Sequence, residues 1–279
     1  MSDIVRVGVI PAALEGAALR AFSFLLLELN HLQSRIEFEL LPVVSHVFLD
    51  PHTKNTSLDH HETIEDVNQF LEEYIEYIQI QSNSFKLSDQ IPDGFILISN
   101  VKFTDNFYSA RTGNFQIIAL GNWSRYMAPP SIVEFFLILS LRYSIGFVKQ
   151  ELFNSSHINT KGCLWDVTPN ISEARFKVLN GFICNSCMDK FKKLHIEDFA
   201  EELKNILRKK WLGDPSSPYA PSEISAKLGY DLFISKGLKP TYIESLKNLI
   251  TLEYPKEILK IIGGIILALL LIWLGLKGK

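Results

Sequence analysis

The sequence predicts an α/β fold of the α+β type, in which a mixed sheet packs with core helices and a helical C-terminal region ends in one transmembrane helix. Residues 4–10 read IVRVGVI, a β-branched run typical of a strand, and helical periodicity follows from Leu14 to Leu29. Residues 131–147 are apolar on nearly every side, as expected of a helix at the centre of a core. Residues 258–276 are almost entirely apolar, which predicts the membrane span.

Length and composition set the broad class of protein. The chain has 279 residues, of which 47% are hydrophobic, so it can bury a substantial core. The formal net charge is −3 and the sequence pI is about 6.2, so the chain lacks the basic surplus that neutralises a phosphate backbone. We therefore expect no nucleic acid as a main partner.

The N-terminus has no features of an export signal. It lacks a basic n-region, and Asp3 and Glu15 interrupt its apolar residues. Without export the thiols are expected to stay reduced, so the three cysteines favour a metal site or free thiols over a disulfide framework.

The remaining elements are predicted in order along the chain. Residues 35–49 alternate in their first half, and Pro42 should end that strand or place it at a sheet edge. Two further strands are predicted at 94–100 and 115–121, separated by a polar stretch, and Ser131 is suited to cap the apolar core helix. Helical spacing of apolar residues predicts further helices at 66–80, 195–211, 222–238 and 241–250.

Composition divides the chain into three parts. Residues 1–212 hold the predicted sheet and core helices. Residues 213–257 begin with GDPSSPYAPS, a linker by composition, and continue as a short helical region. Residues 258–276 are the predicted transmembrane helix.

This last part reads ILKIIGGIILALLLIWLGL, with no charged residue between Lys260 and Lys277. As a helix it spans about 28 Å at roughly 1.5 Å per residue, close to the hydrocarbon thickness of a bilayer. Lysines on both sides can reach the headgroups, and Trp273 suits the interface. The alternative is a buried helix at the end of the core, but apolar residues cover every face instead of one stripe.

The predicted span implies a single-pass C-terminal membrane anchor. The folded body would face the cytosol, because its thiols are expected to be reduced. Gly264 and Ala268 form a small-xxx-small pair through which two such helices could associate into a homo-oligomer.

The three cysteines lie close enough in the sequence to share one metal ion. Cys184 and Cys187 form a Cys-x-x-Cys pair, whose spacing suits two thiolate ligands of a tetrahedral zinc. Upstream, the stretch HINTKGC offers His157 and Cys163 as two more ligands. The sequence therefore predicts a closed, structural zinc site of these four residues, with Asp166 as the reserve fourth ligand if His157 points elsewhere.

Two other interpretations of the cysteines stay open. A thioredoxin-like redox pair would use Cys184 and Cys187 and would leave Cys163 without a role. The third interpretation is a set of small buried thiols that bind nothing. Gly162 and Gly181 favour the metal, since segments that turn tightly around an ion often need residues without a Cβ.

The order of these features resembles a known enzyme family. Two predicted strands in residues 94–122 precede the helix at 131–147, and HINTKGCLWDV and GFICNSCMDKF then bring the cysteines. This layout resembles the second half of the archaemetzincin zinc metallopeptidases, in which a Cys-x-x-Cys pair completes a structural zinc site after the catalytic helix. The resemblance implies a zincin-like fold, with which the β-α start of the chain is compatible.

The catalytic motif of that family is missing. A zincin places two histidines one helical turn apart on this helix, with a glutamate beside the first as general base. Residues 131–147 contain no histidine, and Glu134 is their only acid. The resemblance therefore implies a pseudoenzyme that retains the structural zinc and cleaves no peptides.

One other segment suggests an active enzyme. His60, His61, Glu62 and Glu65 lie together at the start of a predicted helix, and on a helix His61 and Glu65 share a face. A catalytic metal is geometrically possible there. The alternative is helix capping, because carboxylates in a first turn are favoured by the partial positive charge of the helix N-terminus.

These patterns give three hypotheses for function. The first is a membrane-anchored, catalytically inactive zincin-like protein that binds a protein or peptide, or senses one, at the cytosolic membrane face. The second is an active membrane-bound zinc metallopeptidase that uses the histidine-rich segment. The third is a membrane-perturbing defence effector whose C-terminal helices oligomerise.

Overall fold

The computed structural model describes most of the chain up to Leu228. The described residues are 4–11, 19–43, 57–58, 60–85, 91–99, 102–105, 107–119, 130–158, 162–168, 171–214, 216–228 and, singly, Gly264, Ile266, Leu269, Leu270 and Trp273. The chain divides into two compact units, Met1–Leu238 and Lys239–Lys279. The first unit is mixed α/β, as the sequence predicts.

A five-stranded mixed sheet forms the centre of the first unit. The strands, in chain order, are β1 Val5–Pro11, β2 Ile36–Leu40, β3 Ser57–Leu58, β4 Gly94–Ser99, β5 Lys102–Phe103, β6 Ser109–Thr112 and β7 Phe115–Ala119. The order in the sheet is β2-β1-β4-β7-β6, and β3 pairs separately with β5. Strands β2, β1, β4 and β7 run parallel to one another, whereas β6 pairs antiparallel with β7 at the edge.

The helices lie between and after these strands. They are α1 Leu19–Leu32, α2 His60–Phe85, α3 Ile132–Val148, α4 Gln150–Phe153, α5 Ile171–Leu179, α6 Asn185–Lys193, α7 Glu197–Leu207 and α8 Pro221–Lys227, with a short 3-10 helix at Lys210–Leu212. Strand β2 ends two residues before Pro42, as predicted.

Each face of the sheet is covered by its own hydrophobic cluster. Alternation along β1 directs Val7 and Val9 into the cluster that contains α1 and α3. Ile10 joins the cluster on the opposite face, where Phe70 and Tyr74 of α2 pack. Two helical layers therefore enclose the sheet.

Helix α3 is the central core helix that its composition predicts. Ser131 caps it, because its hydroxyl accepts from the Glu134 amide and the Glu134 carboxylate accepts from the Ser131 amide. Nearly every α3 side chain is buried. The same hydrophobic cluster contains Cys163, Trp165 and Phe191, so α3 joins the sheet to the cysteine-bearing segments.

Strand β6 lies within the polar stretch that separates the two predicted strands. Gly113, at φ +52°, allows a two-residue turn, so that Thr112 pairs with Phe115. The hydrophobic pattern of Ser-Ala-Arg-Thr did not predict a strand, because pairing with β7 and not composition determines it.

The C-terminal predictions lie largely beyond the described residues. Helix α8 packs against α1 within the first unit. In the part of the chain that the structure describes, no helix is long and apolar enough to cross a membrane. The predicted span at 258–276 lies outside the described residues, apart from five helical, exposed residues between Gly264 and Trp273.

Candidate metal centre

The four predicted metal ligands lie together in the first unit. The ligand atoms of His157, Cys163, Cys184 and Cys187 all lie within 4.8 Å of one another. Among the residues that the structure describes, this is the one group of three or more such side chains able to hold a metal ion.

Two distances in this group match a tetrahedral ion. The Sγ atoms of Cys163 and Cys187 are 3.8 Å apart, and Cys184 Sγ is 3.5 Å from His157 Nε2. With Zn–S bonds of about 2.3 Å and Zn–N bonds of about 2.05 Å, tetrahedral angles predict about 3.8 Å between two sulfurs and about 3.6 Å between sulfur and nitrogen. Four protein ligands would fill the coordination shell and leave no open position for a substrate.

Short backbone pairings bring the ligands together from distant parts of the chain. The His157 amide donates to the Trp165 carbonyl at 3.3 Å, which aligns the histidine with the segment after Cys163. The Leu164 amide donates to the Phe182 carbonyl at 2.9 Å, which sets Cys163 beside the segment before Cys184. These bonds hold three chain segments side by side.

The Cys-x-x-Cys pair occupies the start of α6. Cys184 is the N-cap residue and Cys187 lies in the first turn, and the Cys184 amide approaches the sulfur of Cys163 at 3.5 Å. A redox pair would also occupy a helix start, so this position alone does not separate the two interpretations. The position of Cys163 favours the metal interpretation, because its sulfur lies beside Cys187, whereas a redox pair would leave Cys163 without a role. All three cysteines are free thiols.

The two glycines of the region are needed for different reasons. Gly162 has φ +108°, a conformation that side chains rarely adopt. Gly181 lies against the chain: a Cβ there would come within 2.5 Å of the Lys177 carbonyl oxygen. The close approach of these segments therefore depends on both residues.

Asp166 is not in the ligand group, although the sequence suggests it as a reserve ligand. Its Oδ1 lies 3.7 Å from Nδ1 of His157, on the far side of the ring from Cys184. A carboxylate behind a ligating histidine orients the ring and raises its basicity. Asp166 is therefore placed to support His157.

The buried sulfurs differ in their affinity for protons. Cys163 is fully buried, and a hydrogen bond with the Cys187 side chain lowers its pKa to about 5. The same hydrogen bond, together with burial, raises the pKa of Cys187. A cation that binds both sulfurs as thiolates would displace the protons that the thiols carry.

The hypothesis of a catalytic metal at the start of α2 concerns residues whose side chains the structure does not describe. Helix α2 begins at His60, so His60, His61, Glu62 and Glu65 are helical in backbone. Their side chains lie outside the described residues. The catalytic alternative for this segment stays a prediction.

Comparisons with protein-family models, with curated proteins and with solved structures find no match to this chain.

A second group of polar residues, next to the metal centre, was missed by sequence reasoning. It contains Arg111 of β6, Arg142 of α3 and Lys177 of α5, of which Lys177 is fully buried. One signal was present in the sequence: Arg142 is the one basic residue in an otherwise apolar helix. A charged side chain in a largely buried helix needs a hydrogen-bonding or ionic partner, or has a role in binding.

Proposed function

We propose that this chain is a catalytically inactive, zincin-like binding protein, stabilised by a structural zinc and anchored to the cytosolic face of a membrane by residues 258–276. Its task in this proposal is to hold a protein or peptide partner at the membrane surface, where anchoring raises the effective concentration. The observation that carries it is the four-ligand cluster, with its 3.8 Å and 3.5 Å separations.

Zinc is the metal that this ligand set favours. Three thiolates and one imidazole are a common structural zinc set, whereas magnesium and calcium prefer oxygen ligands. Cys163 and Cys187 are buried, Cys184 is partly buried and the His157 side chain is 23% exposed, so the ion would be largely shielded from water.

The contacts of Glu134, the one acid of α3, support the proposed lack of catalysis. One carboxylate oxygen of Glu134 accepts from the Ser131 amide, and the other lies 2.8 Å from the Lys209 ammonium. Both oxygens are engaged in structural contacts. With no histidine on the same helix, Glu134 has no metal-bound water to activate.

The membrane anchor is supported by composition and by the few described residues near the C-terminus. Leu269 and Trp273 are helical and are 60% and 82% exposed. Large apolar side chains exposed along a helix are typical of surfaces that contact lipid or another chain.

Metal analysis of the whole chain, purified in mild detergent, tests this function. We expect one zinc per chain and no cleavage of peptide substrates. Two metal ions per chain together with cleavage would instead support the metallopeptidase hypothesis. A metal-free, stably folded chain would overturn the structural zinc.

Deletion of residues 258–279 tests the anchor. We expect the truncated chain to leave the membrane fraction while retaining its zinc. Growth arrest on expression of the whole chain, abolished by the same deletion, would favour the membrane-perturbing effector.

A further inference from the structure

A cavity of about 290 Å³ lies next to the metal centre. Its walls come from β6, from the second half of α3, from α4 and from the segment that follows Cys163. Trp165, two residues after that cysteine, lines it, so the metal centre and the cavity share a wall.

Two arginines line the cavity, and each is held by neutral groups. The Arg142 Nη1 donates to the hydroxyl of Tyr108 at 3.3 Å, and that hydroxyl lies 2.8 Å from Thr168 Oγ1. The Arg111 guanidinium stacks over the ring of Phe153, 3.3 Å from its centroid. Arg111 Nε also donates to the Gly113 carbonyl at 3.2 Å. Each guanidinium has five N–H donors, so both keep donors that these contacts do not use.

Within the described part of the chain, neither Arg111 nor Arg142 forms an ion pair with Asp or Glu. Of the acids in or next to the segments that line the cavity, Asp105 and Glu151 are exposed, Asp166 lies against His157, and Glu134 pairs with Lys209 at 2.8 Å. Arginines without an acidic partner attract an anion.

A third basic side chain lies behind the wall of the cavity. Lys177 is fully buried, and its ammonium donates to the Asp166 carbonyl and to Thr168 Oγ1, the latter at 3.4 Å. Thr168 thus connects Lys177 to the Tyr108 hydroxyl and so to Arg142. The chain of contacts runs from a buried lysine to the cavity wall.

The walls define the kind of anion. Apart from the arginines, five of the lining residues are aromatic and four are polar: Phe107, Tyr108, Tyr143, Phe153 and Trp165, and Ser109, Gln116, Ser156 and Thr168. At about 30 Å³ for a water molecule, the volume admits on the order of ten non-hydrogen atoms. A guanidinium fork matches the two oxygens of a carboxylate, and aromatic walls favour an apolar body.

We propose that this cavity binds a carboxylate attached to a small apolar or aromatic group, with the carboxylate on Arg142 and Arg111 and the apolar group against Phe153 and Trp165. This inference deepens the proposed function and rests on it in one respect: the expected source of the carboxylate is the C-terminal residue of a partner peptide. A free small acid is the other source of the same chemistry.

Binding to three probes tests the site. The probes are a fluorescent peptide that ends in Val-Phe with a free carboxylate, the same peptide as its C-terminal amide, and 3-phenylpropionate as a competitor. With the whole chain, we expect the acid peptide to bind, the amide to bind at least about tenfold more weakly, and phenylpropionate to displace the acid.

Two variants and one control locate the binding. Arg142→Gln should weaken binding of the acid peptide about tenfold or more, because it removes a charged hydrogen-bond donor. Val167→Phe keeps both arginines and fills the mouth of the cavity, where Val167 is 41% exposed, so it should also abolish binding. Arg208→Gln removes an arginine that bonds Asn205 away from the cavity and should change nothing.

Each outcome decides between supporting and overturning the inference. Equal binding of acid and amide, or no binding of any acid, overturns it. If phenylpropionate binds as tightly as the peptide, the carboxylate site stands and the peptide source is wrong. Zinc content is measured on every sample, so a zinc-free chain that binds the acid would sink the structural-zinc function while leaving this site intact.

Discussion

The sulfur atoms of Cys163 and Cys187 lie 3.8 Å apart, although 24 residues separate them in the chain. A disulfide would bring them to about 2.05 Å, whereas 3.8 Å is a separation that allows both sulfurs to bind one ion. The ion would join the segment before α5 to the first turn of α6. Stability should therefore depend on the metal.

Replacing Cys187 with serine should remove the ion and destabilise the first unit by several kcal/mol, because a buried thiolate ligand is lost. Zinc content and the midpoint of urea unfolding measure the effect. Met188→Leu, at the next position of α6, is the control and should keep both values. A Cys187→Ser chain as stable as the parent would show that the cysteines are only buried thiols.

Asp166→Asn separates a supporting role from direct ligation. A carboxylate that orients His157 contributes about 10- to 100-fold to metal affinity, whereas stoichiometry at saturating zinc should stay unchanged. Competition with a chromogenic chelator measures the affinity. Asp189→Asn, on the exposed surface of α6, is the matched control. Complete loss of zinc from the Asp166 variant would identify Asp166 as a ligand.

The cap of α3 should be measurable in isolation. Ser131→Ala removes the hydroxyl that accepts from the Glu134 amide and should cost about 1 kcal/mol of unfolding free energy. Ser140→Ala is the contrasting change in the same helix, because the Ser140 hydroxyl is buried without a hydrogen-bond partner. It should be neutral or stabilising. Equal losses for both variants would argue against the capping box.

The buried lysine predicts a dependence of stability on pH. Burial lowers the pKa of Lys177 from 10.5 to about 7, so between pH 7 and about 10.5 the unfolded chain binds more protons than the folded one. The contribution of Lys177 to the unfolding free energy therefore rises with pH across this window and is least favourable below pH 7.

Lys177→Met isolates that contribution. Relative to the parent, the variant should be most stabilised at or below pH 7, and the difference should shrink towards pH 10. Unfolding in urea at several pH values, with zinc saturating, measures it. Lys192→Met, with its side chain 61% exposed, should give a difference that does not change with pH. A pH-independent difference for Lys177→Met would mean that its pKa is not lowered.

The sequence predicted those elements that depend on interactions between residues close together in the chain. Apolar residues on nearly every side of 131–147 predicted α3, and the Ser131 hydroxyl predicted its cap. Runs of β-branched residues predicted β1, β4 and β7. The sequence also predicted that His157 lies near Cys184, because a set of His157 with the three cysteines uses every cysteine of the chain.

What the sequence did not predict depends on distant pairing. Strand β6 exists because β7 supplies its partner, and the cavity exists because Arg111 and Arg142 come from elements far apart in the chain. Hydrophobic periodicity carries no information on such encounters. Asp166 was expected as a ligand only if His157 pointed elsewhere; its position 3.7 Å from Nδ1 of His157 is a property of the folded chain that the sequence did not predict.

All four ligands follow β7 and α3 in the sequence. A ribosome therefore releases the sheet and its central helix before it releases Cys184 and Cys187, so the early half can begin to collapse without metal during synthesis. Zinc would then bind late, to a chain whose sheet is already partly folded. In a zinc-starved cell, proteases should cleave the newly made protein within the segment that carries the cysteines and leave the strands made first intact.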